Sequence, residues 1–292
     1  MKATKVILCL LTAAALLLSP ALCVPPVLAA SPAVADASQM TTVEEVGEAW
    51  MKPVHAESLL DGEYPVEVES SSSMFRIDSA VLRVEEGRLE AKLTMGGKGY
   101  LRIWPGSAEE AAEADEDACI PYTEDEEGRH VFTIPVQALD EGFPCAAFSK
   151  NKELWYDRTL LLRSDSLPME AFAEGFFVTA ESLNLKNGAY TAEVTLNGGS
   201  GKASVASPAL LTVEDGACEA LVIWSSKNYD YMKIGEKKFF QEEGYESSAF
   251  RIPVSFFDRP MRVIADTVAM STPHEISYTL QFDSATLEKA QG

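Results

Sequence analysis

The sequence predicts an all-β protein, two tandem immunoglobulin-like β-sandwiches placed after a secretory signal peptide. Three observations lead there. The chain repeats itself, its segments are short and alternate apolar with polar residues, and its first residues carry an export pattern. With 292 residues and 47% hydrophobic content, it is long enough for two folded domains and too apolar for a disordered chain.

The repeat is the strongest of the three. "AESLLDGEYPVEV" at 56–68 returns as "AESLNLKNGAYTAEV" at 180–194, and "AVLRVEEGRLEAKL" at 80–93 as "ALLTVEDGACEALV" at 209–222. "VFTIPVQALD" at 131–140 returns as "AFRIPVSFFD" at 249–258, and "RSDSL" at 163–167 as "DSATL" at 283–287. The order is kept, so the chain divides into a signal (1–30), an N-terminal segment (31–56), a first sandwich (57–167), a linker (168–180) and a second sandwich (181–288).

Each copy reads as β. Runs rich in Val, Ile, Thr and aromatic residues are separated by Gly or Asp-Gly turns, and "EEG" and "EDG" sit between alternating runs as hairpin turns do. Outside the strands, "TTVEEVGEAWMK" at 41–52 carries a Thr42–Glu45 capping box and reads as a short helix ending at Pro53. "SAEEAAEADEDA" at 107–118 reads as an acidic helix without a counterpart in the second copy. Residues 31–40 read as a mobile small-residue tail. Phe172, Phe176 and Phe177 in the linker are too apolar for a floppy connection and predict packing against a domain.

At the N-terminus, Lys2 and Lys5 precede an apolar run and then "PVLAAS", which is the signal-peptide pattern with cleavage after Ala29 or Ala30. The run is too short for a membrane span. The exported chain is therefore expected to be secreted, with no transmembrane segment, and held at a cell surface through a partner if at all. Losing the two lysines moves the net charge from −21 to −23, which disfavours nucleic acid and anionic lipid. Of five cysteines, Cys119, Cys145 and Cys218 remain after the signal, an odd number. A Cys119–Cys145 bridge is open on spacing alone, and Cys218 reads as a core residue.

Enzyme chemistry has little to stand on. Histidine occurs three times, at His55, His130 and His274, and the chain has no HExxH, CxxC, P-loop or dinucleotide fingerprint. The expectation is a non-enzyme. The most informative stretch is the last strand, where His274, Ile276, Tyr278, Leu280 and Phe282 share one face. His274 and Tyr278 lie about 13 Å apart at their backbones. Two readings stay open: a core tyrosine with a bonded hydroxyl and a histidine at the strand's mouth, or a pair of ligands aimed into a pocket.

The second copy resembles the NEAT (near iron transporter) domain of haem uptake. "SPALLTVEDG" at 207–216, "VIWSSKNYDYMKI" at 222–234, "FRIPV" at 250–254 and "VIADTVAMSTPHEISYTLQFD" at 263–283 are similar to the family's strands in order and spacing. That family closes on a YxxxY pair whose first tyrosine holds haem iron. Here His274 stands at the first position and Tyr278 at the second, and the glycine-rich "LNGGSGKAS" replaces the family's covering lip. In the first copy "YDR" resembles the family's "YDH", which makes Tyr156 the ligand candidate, with Leu160 where a second tyrosine would fall.

The resemblance implies further residues. Met74 and Phe75, in the lip "SSSSMFRI", would cover a macrocycle. Arg158 would meet a propionate or a tyrosinate, or else sit at the barrel edge in water. Tyr100, Tyr229, Tyr231 and Met232 either line the pocket or pack the hairpins. Haem, its iron held through Tyr156 in the first copy or His274/Tyr278 in the second, is the implied cofactor. Binding and relay in bacterial iron acquisition is the implied function, in a Gram-positive cell. Its partners would be haem or a haemoprotein and a surface receptor or ABC-transporter binding protein. The alternative is a cell-surface interaction or adhesion module of the same fold without cofactor.

Overall fold

The computed structural model describes residues 33–36, 45–269 and 272–290. The signal peptide expected at 1–30, and Thr42 of the expected capping box, lie outside the described residues.

The chain is almost entirely β, in four five-stranded antiparallel sheets. The first half comprises β1 (Gly62–Pro65), β2 (Val68–Ser70), β3 (Ile77–Glu85), β4 (Arg88–Met95), β5 (Tyr100–Trp104), β6 (Ile120–Pro121), β7 (Thr123–Glu124), β8 (His130–Val136), β9 (Phe143–Ser149) and β10 (Trp155–Leu162). They form sheets in the orders β1-β3-β4-β8-β7 and β2-β10-β9-β5-β6. The second half comprises β11 (Gly188–Ala192), β12 (Val194–Gly198), β13 (Ala209–Glu214), β14 (Ala217–Ile223), β15 (Tyr229–Ile234), β16 (Lys237–Phe240), β17 (Ala249–Pro253), β18 (Met261–Thr267), β19 (His274–Phe282) and β20 (Glu288–Lys289). Its sheets run β17-β14-β13-β11-β20 and β12-β19-β18-β15-β16. In both halves one extended segment is shared between the sheets, β1 then β2, β11 then β12.

Side-chain alternation explains this layering. On β3, Ala80, Leu82 and Val84 are buried while their neighbours face water, and on β13 Ala209, Leu211 and Val213 do the same. Each sheet pair closes over its own apolar core, one built around Leu82, Leu93, Phe132 and Ile134, the other around Leu211, Phe250, Ile252 and Phe282. The β3–β4 and β13–β14 hairpins turn on Glu86-Gly87 (φ 50° and 74°) and Asp215-Gly216 (φ 49° and 83°). Both are two-residue turns with left-handed backbone at each position, as the tight hairpin requires.

Likeness reaches fine detail. β5 bulges between Tyr100 and Arg102, and β15 between Tyr229 and Tyr231. The Tyr64 hydroxyl donates to the Leu60 carbonyl at 3.0 Å and the Tyr190 hydroxyl to that of Lys186 at 2.9 Å.

Elements beyond the strands depart from expectation in three places. Residues 45–52 are not helical, because Gly47 takes φ 76° and its amide donates to the Glu69 carboxylate at 2.7 Å. The tail is anchored where it is described: Val34 bridges Trp155 in parallel and Ala35 is buried. It covers the outer face of β10, which Trp155 and Phe148 make apolar. The acidic segment forms α1 (Ala108–Glu113) and then a single 3-10 turn (Glu116–Ala118), not one continuous helix, and a Ser107–Glu110 capping box seats Ala108 and Ala111 on that same face.

Among the described residues Cys119, Cys145 and Cys218 are unbridged and buried. Cys145 belongs to the inner core and Cys119 to the outer cluster under α1, so opposite faces of one sheet separate them. Among the described residues no helix is long and apolar enough to cross a membrane.

Candidate functional site

The last strand of each half carries the sequence-predicted ligands, so the two are compared strand by strand. On β10, Tyr156, Arg158, Leu160 and Leu162 face inward, while Asp157 faces α1 and accepts from the Ala108 amide at 2.7 Å. Tyr156 is half-buried and its hydroxyl has no hydrogen-bond partner among the described residues. The Arg158 guanidinium lies over the Tyr156 ring at 5.1 Å.

Arg158 is 5% exposed, which overturns the reading of it as an edge residue in water. Its Nη1 donates to the Asp157 carbonyl at 2.6 Å and its Nη2 to the Tyr100 hydroxyl at 3.3 Å. Its Nε is buried without a partner, and it has no salt bridge among the described residues. A buried cation normally sits beside a carboxylate, because leaving water costs several kcal/mol. Here two tyrosines and a carbonyl surround it.

The lip over this cleft divides its two predicted residues. Phe75 is fully buried and meets the Tyr100 ring edge-on at 5.1 Å, so it belongs to the core rather than to a movable cover. Met74 is 63% exposed at the rim. The structure therefore brings Tyr100, Tyr156, Arg158 and Phe75 together and leaves the Met74 side chain exposed.

The second half is built differently. β19 runs from His274 to Phe282, with the predicted alternation. His274 is half-buried at the strand's first position, opposite Thr267. Tyr278 is 4% exposed, and its hydroxyl lies 3.1 Å from that of Tyr229, itself 7% exposed. Trp224 packs on both rings, with centroids at 4.2 Å from Tyr229 and 5.1 Å from Tyr278. Burial, and then the bond to Tyr229, push the Tyr278 hydroxyl's pKa well above the ordinary phenol range. This is the bonded core tyrosine of the first reading, with no open position at its oxygen.

The glycine-rich lip explains the closure. A Cβ on Gly199 would lie 2.6 Å from the Tyr278 ring, and Gly199 takes φ 59°. The segment read as a poor clamp is thus a close lid on Tyr278, possible only with glycine there.

Two predicted pocket residues lie elsewhere. Met232 is fully buried, its sulfur accepting from the Trp224 indole at 3.4 Å. Tyr231 faces the outer side of the sheet, where it donates to the Glu275 carboxylate at 2.8 Å under the Lys238 ammonium, 3.6 Å above its ring. The bulge after Tyr229 shifts the register and parts the two tyrosines.

Sequence reasoning missed Trp224 and Ser248. Ser248 is 1% exposed; its hydroxyl donates to the Tyr229 carbonyl at 2.7 Å and accepts from the Tyr229 amide at 3.1 Å. A tryptophan ending the alternating run "EALVIW" was the available signal for the first. Nothing local marks the second, whose partner is 19 residues away. No protein-family model matches the chain, and no curated protein matches it.

Proposed function

We propose that this chain is an exported haem-binding and relay protein in which the first sandwich carries the ligand and the second does not. The reading rests on one observation: a buried Arg158 without a carboxylate, held between Tyr100 and Tyr156 beneath a lip that ends in the exposed Met74. A ferric tetrapyrrole supplies what the cleft lacks. Its propionates, or a Tyr156 oxygen turned phenolate toward iron, would put negative charge beside the guanidinium. Tyr156, with its unengaged hydroxyl, is the residue that would hold the iron. The second cleft does not fit the group, because Gly199, Tyr229 and Trp224 close over Tyr278.

In this proposal the protein works at the surface of a Gram-positive cell, taking haem from a haemoprotein and passing it to a receptor or ABC-transporter binding protein. It asks for no catalysis. A second reading, the interaction or adhesion module, is favoured by Phe240, 69% exposed on the edge strand β16. There the closed second half meets a protein partner.

Titration with hemin, followed in the visible spectrum, tests the first reading. The expected result is a saturable, shifted Soret band that Tyr156→Ala abolishes and Arg158→Gln weakens. His274→Ala combined with Tyr278→Phe is expected to leave it in place. A chain that produces no shift, or one indifferent to Tyr156, overturns the haem proposal and leaves the interaction module.

A further inference from the structure

The linker folds into the molecule as a staple. Phe172 bridges Leu59 of the first half, and Val178 bridges Phe257 of the second. Between them, Phe176 stacks on Phe172 at 4.5 Å and Phe177 stacks on Phe256 at 4.6 Å. Beside this aromatic seam lies a cavity of about 710 Å³ bordered by both halves. That is within the range of about 300–1,000 Å³ that small-molecule sites occupy, and the junction of two domains is a common place for one.

Its charges decide what it would take. Most are already satisfied. Arg262 pairs with Glu67 at 2.6 Å, and Lys233 with Glu275 at 3.3 Å. Asp165 is bound by Arg163 at 2.7 Å, while Asp140 and Asp258 accept from the amides of Ser164 and Ser284, each at 2.8 Å. Lys52 and Glu236, both exposed, have no salt bridge among the described residues, and neither has the half-buried Arg259. Its guanidinium stacks on the Phe176 ring at 3.7 Å and its Nε donates to the Phe176 carbonyl at 3.3 Å, with no salt bridge among the described residues. A cation fixed on an aromatic wall, with donors to spare and Asp140 acting on it only from beyond ion-pair distance, matches a carboxylate attached to a flat apolar body. A cationic ligand would find the aromatic face of Phe176 already occupied.

We propose that the cavity between the two sandwiches binds a planar aromatic monocarboxylate of two or three rings, its carboxylate on Arg259 and its rings against Phe177 and Phe256. This site is separate from the Tyr156 cleft and does not depend on the haem reading.

Calorimetric titration of the purified protein with 2-naphthoate, and with the neutral 2-naphthalenemethanol, tests it. Saturable binding of naphthoate, tighter than that of the alcohol, is expected. Arg259→Gln should weaken naphthoate by about tenfold or more and leave the alcohol unchanged, as loss of a charge-assisted bond does. Phe256→Ala should weaken both probes. If Arg259→Gln does not fold, Arg259→Lys is the substitute; it keeps the charge, loses the fork and should weaken naphthoate alone. No saturation with the wild-type protein, equal affinity for the two probes, or indifference of naphthoate to Arg259 in a folded variant would each overturn the proposal. Heat from an iron-free probe is the readout, so its failure is distinct from failure of the Soret test.

Discussion

Tyr229 and Tyr278 share a hydroxyl–hydroxyl bond of 3.1 Å inside the second sandwich, closing the place that Tyr100 and Arg158 hold in the first. A phenol so placed is a packing device. Tyr278→Phe removes the bond but keeps the ring, and should cost about 1 kcal/mol in a urea unfolding experiment. Tyr278→Ala also empties the ring's volume and should cost about 3–5 kcal/mol. In a spectrophotometric alkaline titration, Tyr278→Phe should remove no phenol ionising in the ordinary range, because this one ionises later. Loss of an ordinary phenol would show that Tyr278 is open to solvent.

The lid over that ring gives a second prediction. Gly199 holds a left-handed backbone and leaves no room for a Cβ against Tyr278. Gly199→Ala should therefore destabilise the protein by roughly 1–3 kcal/mol. Gly201, also left-handed but with nothing within 4 Å, separates the two causes. Gly201→Ala should carry the backbone cost alone, and equal losses at the two sites would refute the steric account.

Much of this architecture was legible in the sequence. The repeated segments mark where the two sheet pairs recur, and the alternation from His274 to Phe282 is the β19 pattern. Arg158 was legible as an inward-facing residue, but not as a buried one, because its partner Tyr100 lies 58 residues away. The same distance problem hid the junction cavity. Phe176 and Phe177 announced packing, yet Arg259, which defines the site's charge, lies 83 residues beyond Phe176. The helix expected at 41–52 failed for a local reason: Gly47 binds Glu69 and leaves the helical region. Periodicity finds faces, and it is silent on which faces meet.

Asp140 and Asp258 are repeat mates with left-handed backbones (φ 59° and 63°), and each accepts from the amide and hydroxyl of a serine, Ser164 or Ser284. They differ in surroundings. Burial raises the Asp140 pKa, with the Ser164 bonds opposing it, while Asp258 is exposed. Ser164→Ala should therefore cost more stability than Ser284→Ala, about 1–3 kcal/mol against less than 1. Thermal unfolding of the two variants checks the order, and a reversed order would refute it.

Cys119, Cys145 and Cys218 are predicted to be silent thiols. Burial pushes Cys145 up to about 12 and Cys218 up to about 11, and also raises Cys119. Since the thiolate is the reacting species, Ellman's reagent at pH 8 should label the native chain at none of them and the urea-unfolded chain at all three. Rapid labelling of the native protein would contradict the packing of these side chains.

Asp266 supplies the pH prediction. It is 5% exposed on the outer face of β18, opposite Tyr231 and Glu275. Burial raises its pKa first, a shared hydrogen bond with Asp230 second, and repulsion from Asp230 and Glu275 third, with Lys238 opposing them. The folded state thus binds this proton more tightly than the unfolded chain does. Its contribution to stability is complete below the unfolded value of about 3.9 and is lost as pH rises through the higher folded value. Above that folded value the protein carries an ionised carboxylate in an unfavourable place. Asp266→Asn keeps the size and removes the charge, so it should raise the urea midpoint at pH 7. That gain should shrink steadily as the pH is lowered through the folded value toward about 3, below the unfolded value, where the wild-type carboxyl is protonated in both states. A gain that stays constant across this range would mean that the substitution acts through packing rather than through the proton.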